Sequence, residues 1–317
     1  MICKISNQLN ISAVVVSFNS EKFLKQNLDS LFRQTVAFKQ VIVVDNASSD
    51  DSQAVMDMFP MLKKTVLPVN VGYAAAANLG IRQADSDLVL VANSDIFLAD
   101  DFNRRVLEFF SGHPQTGLLS PLILRFDRET IDSAGQLCSR ALYPREAGFN
   151  QKLARTCFGE REVFSVCGAA TVFSRNALEK LKIDNEYYDE DFFMFWEDFD
   201  IGWRAKLLGL KTFFAPTAVV YHFRSATLTK TWWSRFFLAL ARPAPLRFHL
   251  VKNRYLTLIK NFRLAHFWWA LPFIIGKDFL WVGALTIRSP KIIIAMVRSR
   301  NIFKRALKKR AKIKKHE

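Results

Sequence analysis

The chain of 317 residues is long enough for one large core or two smaller ones. Half of it is hydrophobic and 13% is aromatic, which excludes a disordered or fibrous protein. Its net charge of +16 is unevenly held: residues 1–229 carry 24 Lys+Arg against 27 Asp+Glu, and residues 230–317 carry 21 against 2. Four cysteines, Cys3, Cys138, Cys157 and Cys167, lack metal-site spacing and read as reduced thiols, and the opening MICKISNQLNIS is too polar for a secretory signal.

In chain order, the β-branched runs Ile11–Ser17 and Gln40–Asp45 are too short for helices and read as buried strands. Between them, Glu21–Thr35 places Phe23, Leu24, Leu28, Leu31 and Phe32 at helical spacing, so the three form a strand–helix–strand unit of a parallel sheet. Lys64–Leu67 continues as a strand, Tyr73–Ala84 as a helix of small residues, Leu88–Ala92 as a strand and Asp101–Phe110 as a helix. An open α/β sheet results, whose ligand crevice belongs at the carboxyl ends of the strands. Polar clusters follow three of those ends: Ser17-Phe18-Asn19-Ser20, Asp45 to Asp50, and Asn93-Ser94-Asp95. Any one of them alone reads as an ordinary cap or turn, and three at one edge shift the balance toward a ligand crevice. No glycine-rich dinucleotide or P-loop motif follows the first strand.

Further on, Phe193-Met194-Phe195-Trp196-Glu197-Asp198-Phe199-Asp200 sets three carboxylates among large apolar side chains. Buried acids are costly, so they are paired, solvated or chemically employed. His222 ends another β-branched strand, Ala218–His222. From about residue 230 the chain is cationic and holds five of the seven tryptophans, Trp232, Trp233, Trp268, Trp269 and Trp281. That combination suits either nucleic acid or an anionic lipid surface. The apolar stretch His266–Leu285 contains Pro272, Lys277 and Asp278, which favours interfacial helices over a membrane crossing.

The ordered segments VVVSFNS (14–20), VVDNASSDDS (43–52), NVGYAAAANLGI (70–81), VLVANSD (89–95), CGAATVFSR (167–175) and YDEDFFMFWEDFDIGWRAKLLGLKTFFAPTAVVYHFRS (188–225) together resemble the inverting family 2 glycosyltransferases. Within that family, the likeness is greatest to rhamnosyltransferase-like and galactofuranosyltransferase-like members. The resemblance covers roughly residues 12–225 and implies a GT-A nucleotide-diphospho-sugar transferase fold: an open, mostly parallel sheet flanked by helices, here with a basic, aromatic, mainly helical C-terminal region. It implies a catalytic domain over 1–229 and a membrane-associating region over 230–317. Asn19, Asp45, Asn78, Asn93 and Asp95 then surround the nucleotide sugar, with Asp45 on the base. Asp95 is the one carboxylate where the family has D-x-D, and it would hold Mg²⁺ or Mn²⁺ together with His222. Asp198 is the implied general base, Glu197 orients base or acceptor, and Trp196 offers a face for a sugar ring. Asp189 to Asp191 read instead as acids that cap their own turn.

The implied reaction carries a sugar, rhamnose first and galactofuranose or another hexose as the alternative, from a nucleotide-diphosphate donor to a polyprenyl-diphosphate-linked glycan. It would run at the cytoplasmic face of the inner membrane, on an anionic surface and without nucleic acid. A nucleotidyltransferase, a processive synthase and a nucleic-acid-binding scaffold are the competing readings. The first lacks a triphosphate-binding loop, the second lacks a Q-x-x-R-W motif, and the third rests on the basic tail alone.

Overall fold

The computed structural model describes residues 9–156, 158–223 and 240–317; Trp232, Trp233, Cys3 and Cys157 lie outside them. The strands are β1 (Ile11–Ser17), β2 (Gln40–Asp45), β3 (Lys63–Val66), β4 (Leu88–Asn93), β5 (Ile96–Leu98), β6 (Thr116–Arg125), β7 (Ile131–Ser133), β8 (Gln136–Cys138), β9 (Pro144–Glu146), β10 (Arg161–Glu162), β11 (Ala170–Ser174) and β12 (Lys211–His222). The main sheet runs β10-β12-β6-β11-β4-β1-β2-β3, with β5 added to β12 and β7 to β6, while β8 and β9 form a separate hairpin. The β3-β2-β1-β4 half is parallel, as the strand–helix–strand pattern requires, and β11 enters antiparallel between β4 and β6. Pro216 cannot donate to the ladder, and the register with β6 shifts between Ala215 and Val219.

Alternation along the strands buries both faces. Ala13, Val15, Val43 and Leu90 face helices α1 (Glu21–Phe32) and α4 (Phe102–Gly112); α2 (Ser52–Asp57) flanks α1. Val14, Val16, Ile42 and Val91 face α3 (Tyr73–Gln83), α5 (Arg175–Leu181) and α6 (Glu197–Leu207). This two-sided burial explains why the strands read as continuous apolar runs rather than alternating ones. Gly80 lets α3 sit on the sheet, since a Cβ there would meet the Val14 side chain at 2.2 Å.

The cationic C-terminal region folds as α7 (Ala244–Asn261), α8 (Leu264–Phe267), α9 (Leu271–Arg288), α10 (Lys291–Arg298) and α11 (Arg300–His316). Much of its charge is spent inside the molecule. Lys260, wholly buried, lies 2.5 Å from Asp189 and 2.8 Å from Asp200, and Asp200 also pairs with Arg204 at 3.0 Å. Lys309 reaches Asp189 at 2.6 Å and Glu186 at 2.7 Å, and Arg305 pairs with Asp191. Arg254 donates to the carbonyls of Ala141 and Leu142 and lies 3.3 Å from Asp278. Buried charges of this kind persist only when paired. The excess of cations after residue 230 is therefore partly the complement of the acids before it: α7, α9 and α11 pack onto the sheet domain, and α10 packs on its helical neighbours.

Candidate active site

Two clefts meet at the carboxyl ends of the strands. One, about 530 Å³, is walled by Val16, Asn19, Asn46, Asn93, Asp95 and Phe193 among others. The second, about 410 Å³, is walled by Asp132, Glu146, Trp196, Glu197, Asp198 and His222. Tyr73, Asn93 and Met194 border both, so a group bound in one cleft can reach a group in the other.

Asp198 lies in the first turn of α6 and its carboxylate is fully engaged on one side. Oδ2 accepts from the Gly168 N–H at 2.9 Å and from Gln136 Nε2 at 2.8 Å, while Oδ1 accepts the Phe199 N–H at 2.8 Å. Gly168 keeps this approach uncrowded, because a Cβ there would stand 3.2 Å from the carboxylate, tighter than an ordinary contact. Burial raises the Asp198 pKa, and these donors work against the rise by favouring the charged form. Glu197 has the opposite surroundings: its Oε2 is buried without a hydrogen-bond partner. Burial first, and then the charge of Asp198, pushes Glu197 up to about 8. Of the two adjacent acids, Glu197 is therefore the one that keeps its proton at neutral pH, while the donors around Asp198 favour its charged form. Across the cleft, burial raises Glu146 to about 7, with the charges of Asp198 and Asp132 adding to it.

The loop before α6 is strained. Phe193, Phe195 and Trp196 all have positive φ, at 66°, 68° and 74°, which side chains with a Cβ rarely adopt. Such geometry persists only where neighbours over-determine it. Asn253 of α7 supplies that constraint: its Nδ2 lies 3.0, 2.7 and 2.7 Å from the carbonyls of Phe192, Met194 and Phe195. On the other side Gly72, at φ 87°, leaves room for the Phe193 carbonyl, which a Cβ would meet at 2.6 Å. The C-terminal region therefore shapes the loop that presents Asp198.

Asp95 and His222 face each other from β4–β5 and β12. His222 Nε2 is 3.3 Å from Asp95 Oδ2, and its Nδ1 is 2.8 Å from Asp132 Oδ2. Burial alone would lower the His222 pKa, but hydrogen bonds to Asp132 and Asp95 outweigh it and lift it to about 9. Among the described residues no group of three or more His, Cys, Asp or Glu could hold a metal; Asp95 and His222 would serve a divalent cation only together with diphosphate oxygens and after His222 gives up its proton.

The structure brings Asn19, Asn93 and Asp95 to the first cleft and Trp196, Glu197, Asp198 and His222 to the second. Asp45 is not on the wall: it is wholly buried and accepts from the Ser48 N–H and hydroxyl, shaping the loop that carries Asn46. Asn78 also lies elsewhere. Its amide is buried and spent on Tyr187, Tyr188 and Glu190, tying α3 to the turn before α6. Asp189 to Asp191 form a short helical turn in which Asp189 caps the Asp191 N–H at 3.0 Å, as the sequence implied, and they also receive Lys260, Lys309 and Arg305. Gln136, Glu146, Asp132 and Tyr73 join the site without having been expected. All but Tyr73 belong to the 131–146 stretch, whose three-residue strands leave no periodic signal.

Comparison with known proteins identifies the family and fold. Glycosyl transferase family 2 matches residues 12–182, and glycosyl transferase family group 2 matches residues 143–297. N-acetylglucosaminyl-diphospho-decaprenol L-rhamnosyltransferase of Mycobacterium tuberculosis is 27% identical over 240 residues, covering 68% of this chain and 76% of that protein. Poly-beta-1,6-N-acetyl-D-glucosamine synthase of Staphylococcus epidermidis is 25% identical over 228 residues, 71% of this chain but only 52% of the synthase. Among solved structures, S. aureus TarS 1-349 in complex with UDP superposes with TM-score 0.54 at 18% identity, covering 96% of this chain and 89% of TarS. Mannosyltransferase PcManGT from Pyrobaculum calidifontis, in complex with GDP-Man and Mn²⁺, gives 0.56 at 14% identity over 98% and 86%. These structural likenesses establish the GT-A fold, and the extent of the family match settles the class: the chain belongs to glycosyl transferase family 2 and is a glycosyltransferase.

Proposed function

We propose that this enzyme transfers a sugar, with inversion, from a nucleotide-diphosphate donor in the Asp95 cleft to a hydroxyl of a lipid-linked glycan in the Asp198 cleft. The observation that carries this is the junction of the two clefts at Tyr73, Asn93 and Met194, with a buried carboxylate held by three hydrogen bonds on the acceptor side. Asp198 accepts the acceptor hydroxyl's proton as that oxygen attacks the anomeric carbon and the nucleoside diphosphate departs from the opposite face. A positioned base of this kind contributes about 10²–10⁴-fold. Protonated Glu197 is a donor that can orient the acceptor, and Trp196 lines the same wall. Asp95 and His222 would hold Mg²⁺ or Mn²⁺, which when bound neutralises charge developing on the diphosphate. Rhamnose is the sugar favoured by the mycobacterial relative, whose name also motivates the polyprenyl-diphosphate-linked acceptor.

The second part of this reading is peripheral attachment to the cytoplasmic face of the inner membrane. Leu264–Arg288 is the one helical stretch among the described residues long and apolar enough to cross a bilayer. Yet Asp278, near its middle, accepts from the Tyr143 hydroxyl at 2.8 Å, so that face lies against the catalytic fold. The opposite side exposes Phe279, Leu280 and Ile287, and α10 adds Ile293, Ile294 and Val297 beside exposed Lys291, Arg298 and Arg300. Apolar side chains rimmed by cations suit an in-plane position on anionic lipid. Incubation with nucleotide sugars and a polyprenyl-diphosphate-linked N-acetylglucosamine, with nucleoside diphosphate release as readout, tests the reaction. Transfer from deoxythymidine-diphosphate rhamnose that stops in excess chelator is expected. Absence of transfer from any donor, or undiminished turnover in chelator, would contradict it.

A further inference from the structure

We infer that Gln136 is a positioning residue for Asp198: its side-chain amide, itself oriented by Glu146, fixes the carboxylate so that one Oδ1 lone pair faces the acceptor. This rests on the reading of Asp198 as the base. Gln136 Nε2 donates to Asp198 Oδ2 at 2.8 Å and to Glu146 Oε1 at 2.9 Å, which uses both amide protons. Its Oε1 is buried without a partner, an arrangement that makes sense only if the amino side is required between two acids. The other Glu146 oxygen accepts from Ser133, so the orienting carboxylate is itself held.

The main chain repeats the tie. Gln136 donates its N–H to the Ser165 carbonyl at 2.9 Å and accepts from the Phe164 and Ser165 amides at 3.0 and 3.1 Å. Ser165 Oγ in turn donates to the Asp198 carbonyl at 2.8 Å. Gly202 permits this approach, since a Cβ there would fall 1.9 Å from Ser165 Oγ. Asp198 is thus joined to the β8–β9 hairpin through both its backbone and its side chain. Of its four lone-pair sites, two on Oδ2 and one on Oδ1 are filled, and the remaining Oδ1 site is free to take a proton. Loss of positioning by about 1 Å at a reacting group costs on the order of 10²-fold.

The hydrogen bond also favours the ionised form of Asp198. The other titratable groups around Asp198 are Glu197 on its own helix, Glu146 from β9, Cys167 before β11, Tyr73 on α3, Tyr188, and His222, which lines the same cleft. The described hydrogen bonds to the Asp198 carboxylate come from Gln136 and the Gly168 and Phe199 amides, so removing the Gln136 amide removes its side-chain donor among the described residues. The test is Gln136→Met, of similar length but without donors, with Gln136→Asn, one methylene too short, as the second variant. Both are expected to lower kcat for transfer by ~10–100-fold with donor KM nearly unchanged, and to move the acid limb of the kcat–pH profile upward. Nucleoside-diphosphate binding, read by titration, checks that each variant is folded, and Gln136→Asn stands in if Gln136→Met is not. If kcat and the acid limb stay at wild-type values while Asp198→Asn is inactive, the positioning role is wrong. If Asp198→Asn itself transfers sugar normally, the base reading fails and this inference with it.

Discussion

Replacing Asn253 with Ala removes a clamp that lies in the C-terminal region but acts on the loop before the catalytic helix. The Asn253 amide has two protons for three carbonyls, at 3.0, 2.7 and 2.7 Å, so it makes the equivalent of about two hydrogen bonds at ~0.5–1.5 kcal/mol net each. The loop it restrains contains three residues at positive φ, each storing on the order of 1–3 kcal/mol. Loss of about 1–3 kcal/mol of restraint lets that strain relax and reduces the competent loop population by roughly 5–150-fold. Single-turnover transfer at saturating donor should fall by that factor. Asn253→Asp should fare worse than Ala, because it points a carboxylate at three carbonyl oxygens. A variant with Ala at 253 that keeps kcat within twofold, or an Asp variant more active than the Ala one, would refute the reasoning.

Three further outcomes follow from the same geometry. Lys260→Met strands part of the charge of Asp189 and Asp200 and should cost about 3–5 kcal/mol in denaturant unfolding; Asp189→Asn in the same chain should recover part of it, and a loss under 1 kcal/mol would contradict the buried pairing. Glu197 keeps its proton up to about 8 in the folded protein against 4.5 as the ordinary value, so the unfolded chain binds fewer protons between those values and the Glu197 contribution to stability falls as pH rises through them. Glu197→Gln cannot ionise, and its Tm relative to wild type should therefore climb from pH 5 to pH 8; a constant difference would place the proton elsewhere. Replacing Ile293, Ile294 and Val297 together by Ser should reduce co-sedimentation with anionic liposomes without changing nucleoside-diphosphate binding, and unchanged sedimentation would argue against that face.

Much of the sheet was legible because each parallel strand is buried on both faces and each connecting helix on one. Runs such as Ile11–Ser17 and the spacing of Leu24, Leu28 and Leu31 carry that information locally. Asp198, Glu197, Asp95 and His222 were visible for a different reason: acids and an imidazole at the end of apolar runs demand partners or a task. What the sequence could not show is which partners they find. Asp189 and Asp200 meet Lys260, and Asp189 also meets Lys309, more than a hundred residues further on in that last case, and no local pattern records such a pairing. Reading the tail as one cationic surface therefore overlooked that several of its cations face inward. Gln136 and Glu146 were hidden because three-residue strands have no period to read. Asp45 and Asn78 show the converse: polar residues in recognisable motifs that are buried and hydrogen-bonded in shaping loops beside the cleft.

The central claim, that Asp198 rather than Glu197 takes the acceptor proton, is tested most directly by single-turnover sugar transfer in Asp198→Asn and Glu197→Gln at matched donor occupancy. Asp198→Asn should bind donor as wild type and lose transfer by at least ~10²-fold, because the amide keeps the Gln136 and Gly168 side of the site in place but cannot accept a proton. Glu197→Gln, already mimicking a protonated acid, should retain much more. Near-normal transfer by Asp198→Asn together with an inactive Glu197→Gln would reverse the two roles, and normal transfer by both would remove these acids from the chemistry.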